Sequence, residues 1–392
     1  MNDTPEADWD PHSETVSQDQ ISVYDDLRDR CPVAYSERHQ WSLFRHQDIM
    51  RVLCDHGTFS NAVSKYLSVP NGMDPPEHTV YRSIVEPYFA DDVMSEFEPT
   101  CRQLAIKLVN SLARDKPIDI IATFAQTFAL QVQCAFLGWP NDMQEPLRQW
   151  SLHNQEATAK QDRARLVAVA EEFSLCITRL LEKRREAGNH APMDITSRLM
   201  ATQINGELLT DEVIVSILRN WTAGEIGTIA ASIGILVHFL AESPLLQQTL
   251  RRQPEHLPEA IDEILRIHGP LINNRRIATA PTTVGGRDIA AGERLSIVWV
   301  SANRDDDVFE DAKHFRWGRD HSKNLLYGAG IHVCPGAPLA RLELRIVMEE
   351  LLARVGTIKL AEYLPVKAKY PAGGFSQLMV ILGNANVADI GS

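Results

Sequence analysis

The chain has 392 residues, 44% hydrophobic and 23% charged, proportions that allow a large buried core and exclude a disordered protein. A formal net charge of -13 excludes general binding to nucleic acid or to an anionic membrane surface, because both need a positive field. Twenty-one glycines and 21 prolines are ordinary shares and exclude collagen-like or low-complexity architectures.

Residues 1 to about 20 are polar and acidic and read as a poorly ordered lead-in. No apolar run there can serve as a signal-peptide core, so a cytoplasmic protein is expected. Strand-like patterning covers Val33 to Phe44. Helical spacing of apolar residues follows over Phe97 to Leu112, over Ile118 to Leu137 closed by Gly138 and Pro140, and over Arg163 to Glu186. The longest pattern, Asp211 to Glu242, is too apolar on all sides to lie on a surface and is expected to run through the middle of the protein. Its most apolar stretch, Ile226 to Ala241, has 16 residues without formal charge, short of the ~20 needed to cross a bilayer. Thr282 to Val300 is strand-like, with turns at Gly285-Gly286 and Ala291-Gly292. No composition break separates two cores, so the expected fold is one mainly α domain over residues 21–392 with a small β-sheet part.

Six cysteines (31, 54, 101, 134, 176 and 334) lie far apart without a Cys-x-x-Cys pair, which indicates neither a zinc site nor a disulfide framework. Cys334 differs in context. It stands in Tyr327-Gly328-Ala329-Gly330-Ile331-His332-Val333-Cys334-Pro335-Gly336, ahead of a helix start at Ala337-Pro338. A helix N-terminus favours a thiolate, and glycines allow close approach of a flat ligand. The alternative is a buried cysteine in a Gly-rich turn.

This segment, continued by Leu339-Ala340-Arg341, resembles the haem-binding loop of the cytochrome P450 family, with Tyr327 in place of the usual Phe. Further matches are Glu263-Ile264-Leu265-Arg266 for the family's Glu-x-x-Arg, Ser301-Ala302-Asn303-Arg304-Asp305 with Phe309, and Asp74-Pro75-Pro76-Glu77-His78-Thr79 with Arg82. The resemblance implies a P450-like single-domain fold with haem b between the long central helix and the cysteine loop. It implies Cys334 as iron ligand, with Tyr327, Gly328, Gly330 and Gly336 shaping the loop and Ala223 and Gly224 on the other face. His78, Arg82, Arg276 and His332 match propionate-binding positions, although each could instead be an ordinary ion-pair residue. Glu263 and Arg266, with Arg319, are assigned to a buried structural pair. Leu271, Ile272, Tyr66, Leu67 and Phe375 are candidate substrate-pocket residues; core packing is the alternative for Phe375.

The central helix departs from the family. Where members carry Ala/Gly-Gly-x-Asp/Glu-Thr, this chain has Ala223-Gly224-Glu225-Ile226-Gly227-Thr228, so Ile226 and Gly227 replace the acid and the alcohol. Glu225 and Thr228 are three apart on one helix face, and the expected catalytic set is a proton relay of Glu225, water and Thr228 beside Gly227; a structural role for Glu225 is the alternative. Between Ser60 and Met73 only 12 residues intervene, a short cover that implies a more open or differently shaped pocket. The cover and the altered helix are also similar to haem domains of the reductase-fused branch.

The implied activity is a monooxygenase inserting one atom of O2 into a C–H bond (hydroxylation or O-dealkylation) of a small-to-medium apolar organic substrate. Electrons would come from a ferredoxin with its reductase, or from a flavin reductase, with no nucleic acid or membrane as partner. Arg341 and Arg345 could form part of a docking patch, or be solvated helix charges. Alternatives are a peroxide-driven peroxygenase and a haem-based ligand sensor.

Overall fold

The central helix forms over Asp211–Glu242, the bounds that the apolar pattern predicts. Thr210 caps it, its side chain accepting from the Val213 N–H, and Asp211 and Glu212 place negative charge in the first turn. By length and composition it could cross a membrane, but 56% of its most apolar stretch is buried inside the protein. Around it pack Gln126–Leu137, Arg163–Ala187, Leu257–His268 and Ala337–Arg354. At Gly234 a Cβ would lie 2.5 Å from Ile121 Cδ1, so a larger residue there would have to displace the Ile121 side chain. The computed structural model describes residues 5–160 and 162–384.

Other elements differ from the pattern at their ends. The helix expected from Phe97 begins at Asp91, because Asp91 and Asp92 favour its N-terminus. The apolar run from Ile118 divides into a strand, Pro117–Asp119, a wide turn, Ile121–Ala125, and the helix Gln126–Leu137, which ends at Gly138 with φ 72. The strand is claimed by its partner, Met379–Asn384.

The expected strand regions supply three strands of a five-stranded sheet in the order Val33–Ser36, Gln40–Leu43, Arg294–Val298, Asn273–Ala278, Phe59–Ser60, while Thr282–Val284 and Arg287–Ile289 pair as a separate hairpin. Only the contact between Arg294–Val298 and Gln40–Leu43 is parallel. The sheet carries a separate apolar cluster that includes Trp41, Leu43, Phe59, Leu295 and Ile297.

The expectation of a loose lead-in is corrected for residues 5–20; residues 1–4 lie outside the described residues. Trp9 packs edge-on against Tyr24 and Phe44, at 6.1 and 5.5 Å between ring centroids. Asp8 accepts from the Tyr35 N–H at 2.7 Å and pairs with Arg287 at 2.9 Å. Ser13 caps a short helix, Glu14–Gln18. An aromatic ring and an acid with partners on the sheet outweigh the polar composition.

Beneath the cysteine loop, Glu263 and Arg266 meet at 2.7 and 3.0 Å, both fully buried, as the resemblance implies. Arg319 donates to Glu263 at 2.8 Å, and Arg266 also reaches the Ala312 carbonyl at 2.8 Å. Burial pushes the Glu263 carboxyl up, but the two guanidinium groups outweigh it and hold the group below the usual range. Every charge here has a partner, so the cluster can be buried without an orphan.

Candidate active site

The cysteine loop runs through the single turn Gly330–His332 and passes through Gly336 into the helix Ala337–Arg354. Gly328 and Gly330 have φ of 74 and 70, and a Cβ at Gly330 would lie 2.5 Å from the Leu53 carbonyl oxygen. The Cys334 N–H donates to the Tyr327 carbonyl at 2.8 Å, which closes the loop. Tyr327 lies under the Arg341 guanidinium, 4.5 Å from the ring centroid. Cys334 is exposed, as is its neighbour Val333. Burial pushes the thiol up, against the pull of the Gly336 and Ala337 N–H groups. The net direction for the thiol is upward, and a cation bound at the sulfur would favour the thiolate.

Four basic groups gather beside the loop. The His78 and His332 rings lie 4.3 Å apart, and the buried Nε2 atoms of both lack a hydrogen-bond partner. Arg276 is buried and donates to a backbone carbonyl, that of Arg275, at 2.9 Å. Arg82 pairs with Glu86 at 2.7 Å. Burial, then its neighbours His78 and Arg276, lowers the His332 pKa to about 3; burial lowers Arg276 to about 10. Basic side chains drawn together in a buried place with open valences are a site short of anions.

On the central helix, Ala223 and Gly224 are exposed, and a Cβ at Gly224 would meet nothing within 4 Å. At Gly227 the only neighbour within that distance is Gln155 Nε2, at 3.9 Å, from the helix Gln144–Lys160. The structure does not join the expected relay. Thr228 Oγ1 donates to the Gly224 carbonyl at 2.5 Å, while the buried Glu225 carboxyl meets Glu343 of the helix after the cysteine loop. A hydroxyl satisfied within its own helix and a carboxyl drawn to another helix leave Ile226 and Gly227 without a substitute acid and alcohol.

The short cover is pinned to the central helix. Ser216 Oγ donates to the Leu67 carbonyl at 3.1 Å and accepts from the Val69 N–H at 2.9 Å. Arg219 donates to Leu67 O at 2.6 Å, and Asn220 to Val69 O at 2.9 Å. Ser60 and Asn61 bind Asp74 at its far end. Sequence reasoning missed Ser216, Arg219, Asn220, Gln155 and Glu343, since each reads as an ordinary polar helix residue.

The expected pocket residues scatter. Tyr66 is exposed, Leu67 half-buried, and Leu271 half-buried against the sheet cluster. Ile272 is buried with Tyr24, Phe44 and Val298 and lines one cavity together with Phe375. Phe375 stacks on His238 at 4.5 Å in that cavity, behind the central helix, with Ile235, Phe239 and His268. The reason is the tip Gly373-Gly374: Gly373 donates to Pro270 O at 3.1 Å, and a Cβ at Gly374 would lie 3.1 Å from Ile235 Cγ1. Arg341 and Arg345 are engaged with Asp262, Glu98 and Glu349, which opposes their reading as a free docking patch.

These features define a haem-thiolate protein, and comparison with known proteins agrees. The family model for Cytochrome P450 matches residues 140–356. Erythromycin C-12 hydroxylase of Saccharopolyspora erythraea is 30% identical over 85% of this chain and 86% of its own. Cytochrome P450 109 of Bacillus spizizenii is 30% identical over 90% of this chain and 88% of its own. The crystal structure of CYP109E1 from Bacillus megaterium in complex with testosterone matches with a TM-score of 0.81 at 27% identity, covering 97% of this chain and all of that one.

The chain belongs to the cytochrome P450 family. It is a cytochrome P450 monooxygenase, and its cofactor is haem b. The residues present fit that group: two anionic carboxylates would satisfy the orphaned bases, and the bare Gly224 face leaves room for a flat macrocycle.

Proposed function

We propose that Cys334 is the axial ligand of the haem and that His78, Arg82, Arg276 and His332 hold its propionates. The observation that carries this reading is the basic cluster with its orphaned buried Nε2 atoms, next to an exposed cysteine. A haem bound through thiolate supplies O–O cleavage and oxygen insertion. The chain's own residues do the rest. Gly330 and Gly336 fix the sulfur's approach, the Gly336 and Ala337 N–H groups temper its charge, and the pinned cover over Leu67 to Val69 bounds the space above.

The proposed substrate is a small-to-medium apolar organic molecule, hydroxylated or O-dealkylated in the cytoplasm with electrons from a separate ferredoxin and reductase or from a flavin reductase. Relatives named for erythromycin hydroxylation and solved with testosterone support polycyclic and macrocyclic skeletons among the candidates. Titration of the purified enzyme with steroids, terpenes, macrolides and small aromatics, read as the spin-state change that follows loss of iron-bound water, should select among them. Silence across all apolar classes, with a response only to charged ligands, would defeat the substrate reading.

A peroxide-driven reaction is the second reading. It is favoured by the absence of any acid or free hydroxyl at Ile226 and Gly227, together with the diversion of Glu225 and Thr228. Product formed with hydrogen peroxide but not with ferredoxin and reductase would select it.

A further inference from the structure

Glu225 and Glu343 are two carboxyl groups from two helices, brought together without a cation. Glu343 is fully buried, and neither of its oxygens, nor Glu225 Oε1, has a hydrogen-bond donor. Among the described residues, the titratable groups that feel the pair's charge are Cys101 of Asp91–Ser111 and Tyr327 and Cys334 of the cysteine loop, none of them positive. Two ionised carboxylates meeting in such a place would carry two unpaired buried charges, which burial strongly disfavours. One proton between them turns the repulsion into a hydrogen bond.

We propose that Glu225 and Glu343 share a proton at neutral pH, as an acid–carboxylate clasp that positions the central helix against the helix that follows Cys334. The proton sits on one carboxyl oxygen and is donated to the other carboxylate, so the pair carries at most one negative charge. Burial and the partner's charge both push the Glu343 carboxyl well above the usual range. The clasp lies within electrostatic reach of the Cys334 sulfur, so its charge bears on that atom.

The linkage has a definite sign. The folded clasp keeps a proton that the unfolded chain releases above its ordinary carboxyl pKa. Its contribution to stability is therefore complete below that pKa and falls as pH rises through the raised one. In Glu225→Gln or Glu343→Gln the amide donates to the remaining carboxylate and no proton is needed.

The test is infrared spectroscopy of the haem-loaded protein at about pH 8, where ordinary carboxyls are ionised. The wild type should show a protonated-carboxyl carbonyl band that shifts in D2O, and each single Gln variant should lose it. Thermal melts between about pH 6 and 9 should lose part of their downward slope in both variants. A wild type without a D2O-sensitive carboxyl band, or a band that survives both substitutions, would overturn the proposal whether or not a given variant folds well.

Discussion

The two sides of the haem site are built on different principles. Under the cysteine loop, Glu263, Arg266 and Arg319 form a closed set in which each buried charge has an opposite partner or a backbone carbonyl. Above it, the central helix offers bare backbone at Gly224, a hydroxyl occupied within its own helix, and a carboxyl turned away toward Glu343. The lower side tolerates no loss because it is charge-complete. The upper side offers space at Gly224 in place of side-chain chemistry.

This contrast can be broken in order of expected effect. Glu263→Gln leaves two buried guanidinium groups short of charge and should cost about 3–5 kcal/mol, a large share of a domain's stability; a urea melt that moves by less than a third of that would mean the set is not charge-complete. Arg276→Ala combined with His332→Ala should speed haem loss to a competing apoglobin by more than either change alone, since both serve one anion site; unchanged release would remove the propionate assignment. Gly330→Ala forces a side chain into φ 70 and against the Leu53 carbonyl, at about 1–3 kcal/mol; a melt equal to wild type would show the loop to be looser than described. On the upper side, Thr228→Ala should leave stability and the coupling of electrons to product near wild type, because its hydroxyl serves its own helix; a marked rise in uncoupled peroxide would restore Thr228 to a proton path. The smallest effect is expected of Pro335→Leu, which adds an N–H beside the sulfur and should raise the haem's reduction potential.

The same contrast explains what the sequence makes legible. Glu-x-x-Arg and the glycines of the cysteine loop announce themselves because a spacing of three places two groups on one helix face and a left-handed turn admits little but glycine. The central helix is legible to the residue because its apolar residues surround it. Glu343 is hidden, since an acid in a helix that also carries Arg341, Arg345, Glu349 and Glu350 reads as part of a solvated face. Phe375 and Ile272 are assigned by resemblance alone, and a resemblance does not say which cavity a residue adjoins; here both line the cavity that also holds His238 and His268. The polar residues Ser216, Arg219 and Asn220 acquire meaning only once the short cover is seen lying across them.

The account rests on sulfur ligation by Cys334, and the absorption spectrum of the dithionite-reduced, carbon-monoxide-bound protein reads that bond directly. Wild type should give the red-shifted Soret band of a thiolate-ligated haem, and Cys334→Ser should lose that band. A wild type with only the band of histidine-ligated haem, or a Cys334→Ser protein that keeps the red-shifted one, would contradict it.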